Sequence, residues 1–167
     1  MYMNLRKLEL KDAPFMLEWM HDPTVVEFMR ADFAKKTLAD CEVFIKNSWD
    51  NKKNLHLAIV DNQDIYMGTV SLKNIRDASA EFAITVRKSA MGKGYSQFGM
   101  RQIFDFGKKQ RGLKNIYWCV SPENKRAIRF YDKNGYQRID KNVVNHKGYT
   151  SDQINPFIWY QEMLFKK

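Results

Sequence analysis

Two short stretches of this sequence place residue types at spacings that chemistry can use. The first is Gly92-Lys93-Gly94, which follows the apolar run Ala80-Glu81-Phe82-Ala83-Ile84-Thr85-Val86 and leads into helical patterning from Tyr95. Glycine lets a backbone approach a ligand closely, and a helix start offers unpaired N–H groups at the positive end of its dipole. A strand, a glycine turn and a helix start together suit a phosphate or pyrophosphate. The plain alternative is a turn chosen for its shape. Lys93 adds positive charge, with Arg87 and Lys88 close by in sequence. A dinucleotide fingerprint is excluded, because position 97 is Gln where a third glycine is needed, and no G-x-x-x-x-G-K-[ST] loop occurs.

The second stretch runs from Asn124 through Tyr131 to Gly135-Tyr136. On a helix, Asn124, Ala127, Ile128 and Tyr131 share one face, while Lys125, Arg126, Arg129 and Lys133 cover the rest. A tyrosine on the apolar face of a short helix is usually core, and a reactive hydroxyl is the lesser reading of these residues alone. The two cysteines, Cys41 and Cys119, and the three histidines, His21, His56 and His146, lack metal-ligand spacing. Both thiols are expected to be buried, and no metal is expected.

These residues need elements to hold them. Asp12-Ala13-Pro14 predicts a helix start with Asp12 as N-cap, ending near His21-Asp22-Pro23. Thr37–Asn47 is a second helix, with Leu38, Cys41 and Ile45 on one face. Strands follow at Leu55–Val60, Ile65–Leu72 and Ala80–Val86, separated by polar turns, so the opening is two helices and then an antiparallel meander. Tyr95–Gln110 is helical and stops at Gly112; Tyr95, Gly99, Ile103, Phe106 and Gly107 form its apolar side. Asn115–Val120 is a strand, which makes a right-handed parallel strand–helix–strand unit. A short helix reaches about Asn134, a strand begins at Tyr136, and Phe157–Phe165 is the last strand.

The composition fits a single domain over residues 1–167. Hydrophobic residues are 44% and aromatic ones 14%, which excludes a disordered chain. No apolar run approaches the ~18 residues of a membrane span, and no signal-peptide pattern opens the chain, so a cytoplasmic protein is expected. The net charge is +9, unevenly spread: residues 1–84 carry 11 basic and 13 acidic side chains, and residues 85–167 carry 17 and 6. A basic half suits a polyanionic ligand.

Residues 80–139 resemble motifs A and B of the GNAT superfamily of acetyl-coenzyme A-dependent N-acetyltransferases. The match comprises the run Ala80–Val86, Gly92-Lys93-Gly94-Tyr95, Pro122-Glu123-Asn124 through Tyr131, and Gly135-Tyr136. The opening, Leu5 to Met29 with Trp19-Met20-His21-Asp22-Pro23, is similar to the branch containing ribosomal-protein N-terminal and amino-sugar acetyltransferases. The resemblance implies an α+β fold: a central, mostly antiparallel sheet with one splayed parallel strand pair and about four flanking helices. It implies acetyl-CoA as cosubstrate, its pantetheine arm paired with backbone of Ile84, Thr85 and Val86. The pyrophosphate would sit on Gly92, Lys93, Gly94, Tyr95 and Ser96, and Asn124, Ala127 and Phe130 would flank the arm. Tyr131 would protonate or hydrogen-bond the leaving thiolate, and Glu81 would take the amine proton directly or through water. The family loop reads R/Q-x-x-G-x-G, often with a basic residue just before the first glycine; here those positions are Ser89 and Met91. Lys93, Lys88 and Arg87 are the cations at hand to compensate.

The acceptor implied is a primary amine, on a nucleotide-linked amino sugar, a protein N-terminus or a small amine such as a polyamine. Its site would come from the first two helices, the connection Val25–Thr37 and the loop Asn142–Asn155, with Phe28, Met29, Phe33 and Trp49 as an apolar wall. The protein is expected to be a monomer or homodimer. Two rival classes are a catalytically inactive acetyl-CoA-binding protein and a basic nucleic-acid-binding module. The second lacks any helix-turn-helix, zinc or RNP signature.

Overall fold

The computed structural model describes residues 2–144 and 148–164. Seven strands form one sheet: β1 Met3–Lys7, β2 Leu55–Asp61, β3 Tyr66–Arg76, β4 Ser79–Val86, β5 Asn115–Val120, β6 Gln137–Ile139 and β7 Ile158–Met163. Their order is β1-β2-β3-β4-β5-β7-β6. Every neighbouring pair is antiparallel except β4 and β5. Four helices of eight or more residues flank it: α1 Ala13–Met20, α3 Leu38–Ser48, α4 Tyr95–Arg111 and α5 Lys125–Lys133. Single turns at α2 Pro23–Val26, α6 Lys141–Val144 and α7 Ser151–Ile154, with 3-10 turns at Leu10–Asp12, Phe33–Lys35 and Lys88–Ala90, complete the helical content of the described residues. His146, and the end of the last strand at Phe165, lie outside the described residues.

The antiparallel meander is as expected from the alternating apolar runs. The β3–β4 hairpin turns on Asp77 and Ala78, both with positive φ (52° and 59°), the conformation whose twist suits a two-residue hairpin. The strand–helix–strand unit is parallel, as its connection demands. Two expectations are corrected at the start of the chain. An edge strand, β1, precedes the helices and pairs with β2. Asp12 does stand at the N-cap of α1, but its side chain makes no bond to that helix; its carboxylate accepts the Glu9 N–H at 2.8 Å and closes a capping box on the preceding 3-10 turn. Both oxygens also take the Arg6 guanidinium, at 2.8 Å each, which satisfies a carboxylate only 1% exposed.

The sheet has two covered faces. On one, Val70, Leu72, Ala80, Phe82, Val86, Ile116 and Trp118 pack against α4 and α5. The buried stripe of α4 is Tyr95, Gly99, Met100, Ile103, Phe104 and Gly107, so Phe106, expected inside, is at the edge and exposed. Gly99 lets the helix close on the sheet: a Cβ there would meet Ile59 Cδ1 at 2.5 Å. On the other face, α1 and α3 cover β2 and β3 through Met16, Trp19, Met20, Cys41 and Ile45, while Leu38 of α3 is exposed. A separate cluster of Tyr117, Val144, Ile154 and Trp159 covers β5 and β7 on that face.

Candidate active site

The parallel pairing of β4 with β5 covers three steps, Ser79↔Asn115, Ala80↔Ile116 and Glu81↔Tyr117, and then ends. Beyond it, β4 pairs only with β3, through Ala83↔Ser71, Ile84↔Val70, Thr85↔Thr69 and Val86↔Gly68. Meanwhile β5 continues with β7 as far as Val120↔Ile158. The two strands therefore part at their C-terminal ends. Ile84, Thr85 and Val86 line the β4 side of this gap, with backbone on the β5 edge unclaimed by that strand.

The glycine turn stands at the open end. Gly92 and Gly94 have φ of +75° and +88°, a left-handed geometry that favours glycine. Gly94 is the N-cap of α4 and has no side chain to offer, so the first-turn N–H groups have no capping acceptor. A Cβ on Gly92 would meet nothing within 4 Å, so the turn faces open space. Gly92, Lys93 and Gly94 are exposed and Ser96 is half-buried, whereas the ring of Tyr95 is buried and offers only its backbone. Arg87, expected to lend charge, is committed elsewhere. Its guanidinium makes two 3.0 Å bonds to Glu18, donates to the Tyr66 carbonyl and stacks over Phe15 at 4.4 Å. It anchors the end of β4 to α1.

Alongside the gap lies α5. Asn124 caps it by accepting the Ala127 N–H at 3.2 Å. Its C-terminal half is tied down by Asp132, which holds Arg138 at 2.7 Å and accepts from the Tyr160 hydroxyl at 2.9 Å. Ala127 and Phe130 are half-buried against the main core. The Tyr131 ring sits among Trp118, Tyr160, Phe130 and Tyr136, with centroids 5.1–6.3 Å away. Burial pushes its phenol well above the usual tyrosine range, so it holds its proton. The Tyr131 hydroxyl has no hydrogen-bond partner among the described residues. One more donor here is unpaired: the indole N–H of Trp118, the β5 residue just past the last β4 pairing.

Glu81 is on the opposite face from Tyr131, at the last paired step before the gap. Its carboxylate accepts from the Tyr149 hydroxyl and lies 4.0 Å from the Lys73 ammonium, its register partner on β3. Burial first, and then this bond, raise the Tyr149 phenol. Tyr117 and Asn74 reach the same hydroxyl, at 3.5 and 3.4 Å. Cys119 is half-buried on this face, and burial pushes its thiol up to about 11, which leaves no thiolate at neutral pH. Neither histidine among the described residues is free to activate it: His21 bonds the Lys36 carbonyl at 2.8 Å, and His56 pairs with Ser71 at 2.6 Å, where burial drives it down to about 4. Of the expected acceptor wall, Met29, Phe33 and Trp49 pack into the cluster beneath α1 and α3, Trp49 donating to the Leu8 carbonyl. Phe28 is exposed.

A profile described as "Acetyltransferase (GNAT) domain" matches residues 3–137, most of the chain. The chain belongs to the GNAT acetyltransferase family. It is an acetyl-CoA-dependent N-acetyltransferase. Among curated relatives, an uncharacterized N-acetyltransferase p20 of Bacillus licheniformis is 26% identical over 141 residues, covering 81% of this chain and 79% of that protein. A spermidine N(1)-acetyltransferase of Vibrio cholerae is 25% identical over 136 residues, covering 80% and 78%. Among solved structures, spermidine N-acetyltransferase from Vibrio cholerae in complex with CoA and spermine superposes with a TM-score of 0.77 at 21% identity, covering 97% of this chain and 95% of that one. PaiA N-acetyltransferase from Thermoplasma acidophilum, in complex with coenzyme A, gives 0.73 at 17% identity, covering 98% and 99%. At these identities the structural likeness concerns the fold. No group of three or more metal-ligating side chains occurs among the described residues, and no helix among them is long and apolar enough to cross a membrane.

The sequence reading missed two features. Tyr149 is 68 residues from the carboxylate it binds, and no local pattern announces that pairing. Arg126 has a readable signal in its helical register. With Phe130 and Asn134 it forms a line at intervals of four that faces the glycine loop and the start of α4.

Proposed function

We propose that this GNAT enzyme moves the acetyl group of acetyl-CoA to a primary amine by direct attack, within one domain spanning the chain. The single observation that carries the reading is the parting of β4 from β5 after Glu81 and Tyr117, with the glycine turn at its open end. In this reading the pantetheine arm runs along Ile84, Thr85 and Val86, and the pyrophosphate takes N–H groups from Gly92 to Ser96. The acceptor enters from the Glu81 face, and the thioester meets it through the gap.

The chemistry follows from what the side chains are. The attacking amine must be neutral, and Glu81 accepts its proton directly or through water. The nitrogen lone pair adds to the thioester carbonyl, the C–S bond breaks, and the thiolate leaves. Tyr131, kept protonated by burial, donates to that sulfur. Cys119 takes no part, because its buried thiol is a poor nucleophile.

The amine belongs to a nucleotide-linked amino sugar, a peptide N-terminus or a small amine. The curated spermidine acetyltransferases add weight to a polyamine. The free thiols of Cys41 and Cys119 suit a reducing, cytoplasmic setting. The test is mass spectrometry after incubation with acetyl-CoA and a panel holding one amine of each kind. Amine-dependent release of CoA with an acetylated product supports the reading. Tight CoA binding without turnover would instead make this an inactive binding protein, and salt-sensitive binding of random DNA without CoA binding would make it a nucleic-acid module.

A further inference from the structure

We propose that Arg126, in the first turn of α5, supplies a guanidinium contact to the coenzyme pyrophosphate, beside the Lys93 ammonium, that the glycine loop of this chain does not itself provide. The inference rests on the acetyltransferase reading above. The loop carries Ser89 and Met91 before Gly92, neither of which brings charge. Of the basic residues in that strand and loop, Arg87 is held by Glu18 and Tyr66, Lys88 lies close enough to Asp22 to help hold its carboxyl low, and Lys93 is at the turn itself. Lys93 offers a point charge, and a guanidinium able to grip a phosphate with two parallel N–H···O bonds comes only from outside the loop.

The geometry of α5 brings one. Residues 126, 130 and 134 recur every four positions, so they lie in a row along the helix. Asn134, at one end, accepts from the Gln97 amide of the first α4 turn at 2.9 Å. Arg126, at the other, has Nη1 3.3 Å from Met91 Sδ. The helix is thus laid against the loop and the α4 start, with an exposed guanidinium over the residue before Gly92. A thioether is a weak acceptor, so this contact restrains the guanidinium little and yields readily to a phosphate. Met91 and Arg126 act as a pair: the charge missing from the loop has moved onto the neighbouring helix face.

The experiment compares two thioesters, acetyl-CoA and S-acetylpantetheine, which lacks every phosphate, with calorimetric CoA binding on the same proteins. Arg126→Gln is expected to raise the KM for acetyl-CoA and the Kd for CoA roughly ten- to hundredfold, the value of a charged hydrogen bond, with kcat within twofold. With S-acetylpantetheine it should behave as wild type. Lys109→Gln, which removes one charge far along α4, should change neither, and Met91→Arg placed in the Arg126→Gln protein should restore most of the lost affinity. Unchanged KM and Kd in Arg126→Gln would overturn the proposal, as would an equal loss with both thioesters, which would mark a structural role. A loss that vanishes with 3′-dephospho-acetyl-CoA would overturn the pyrophosphate assignment. Wild-type protein that fails to bind CoA would sink the acetyltransferase reading itself, before any variant is compared.

Discussion

Replacing Tyr131 by Phe removes one oxygen from a site whose surroundings fix what that removal can do. The ring packs against Trp118 and Tyr160 at 5.5 and 5.1 Å, and phenylalanine keeps both contacts. The hydroxyl has no partner among the described residues, so no protein hydrogen bond is lost. Stability should therefore stay within about 0.5 kcal/mol of wild type, below the usual value of a hydrogen bond. The reaction is another matter. If the hydroxyl protonates the leaving thiolate, its loss should lower kcat by roughly 10²–10⁴-fold, about 2.7–5.4 kcal/mol of barrier. The KM for acetyl-CoA should barely move, because the interaction strengthens only as charge gathers on sulfur. Burial raises the phenol, so the wild-type kcat profile should show no alkaline limb from this group below about pH 10. The assay is steady-state kinetics with any accepted amine, alongside urea unfolding of both proteins. A fall in kcat of less than threefold would return Tyr131 to the core and leave the thiolate to water.

Four further outcomes follow from named contacts. Gly92→Val meets open space but needs a positive φ, so it should cost the fold only about 1–2 kcal/mol while raising the KM for acetyl-CoA at least about tenfold; unchanged KM would make the loop a mere turn. Glu81→Gln can still accept from Tyr149 but cannot take a proton, and should lower kcat roughly 10²-fold at constant acetyl-CoA KM; a full rate would leave Glu81 as the partner of Lys73. His56 is driven from 6.5 to about 4 by burial, so as pH falls the unfolded chain is protonated first. Stability should be complete above pH 6.5 and decline toward pH 4 by up to about 3 kcal/mol; His56→Gln should flatten that slope in urea titrations, and an identical slope would refute the assignment. Asp12→Ala takes the two-pronged partner from the half-buried Arg6, which keeps Asp64 at 2.6 Å and Glu9 at 3.1 Å, and should cost about 1.5–3 kcal/mol, the value of charged hydrogen bonds, read as a loss of Tm.

How far the sequence spoke depends on how local each feature is. The strand, glycine turn and helix around Gly92 were legible because an apolar run, two glycines and a helical period are each short-range signals. The α5 face that carries Ala127, Ile128 and Tyr131 was legible for the same reason, whereas the cap that Asn124 makes on the Ala127 N–H was not read. The edge strand β1 was not: it is five residues long, and its partner β2 lies more than fifty residues away, with Met3 opposite Asp61. Asp12 looked like a helix cap because its type fits, but the Arg6 guanidinium and the Glu9 N–H outbid α1 for its carboxylate. Arg87 looked available beside the loop until Glu18, 69 residues earlier, claimed it. The parting of β4 and β5 came only through resemblance, since no periodicity encodes where a strand pair stops.

The account rests on where the coenzyme lies, and a crystal structure of the CoA complex tests that most directly. The pyrophosphate oxygens should lie within hydrogen-bonding distance of backbone N–H groups between Gly92 and Ser96 and of the Arg126 guanidinium, with the sulfur in the gap beside the Tyr131 hydroxyl. A coenzyme bound away from the β4–β5 gap, or a sulfur out of reach of Tyr131, would contradict it.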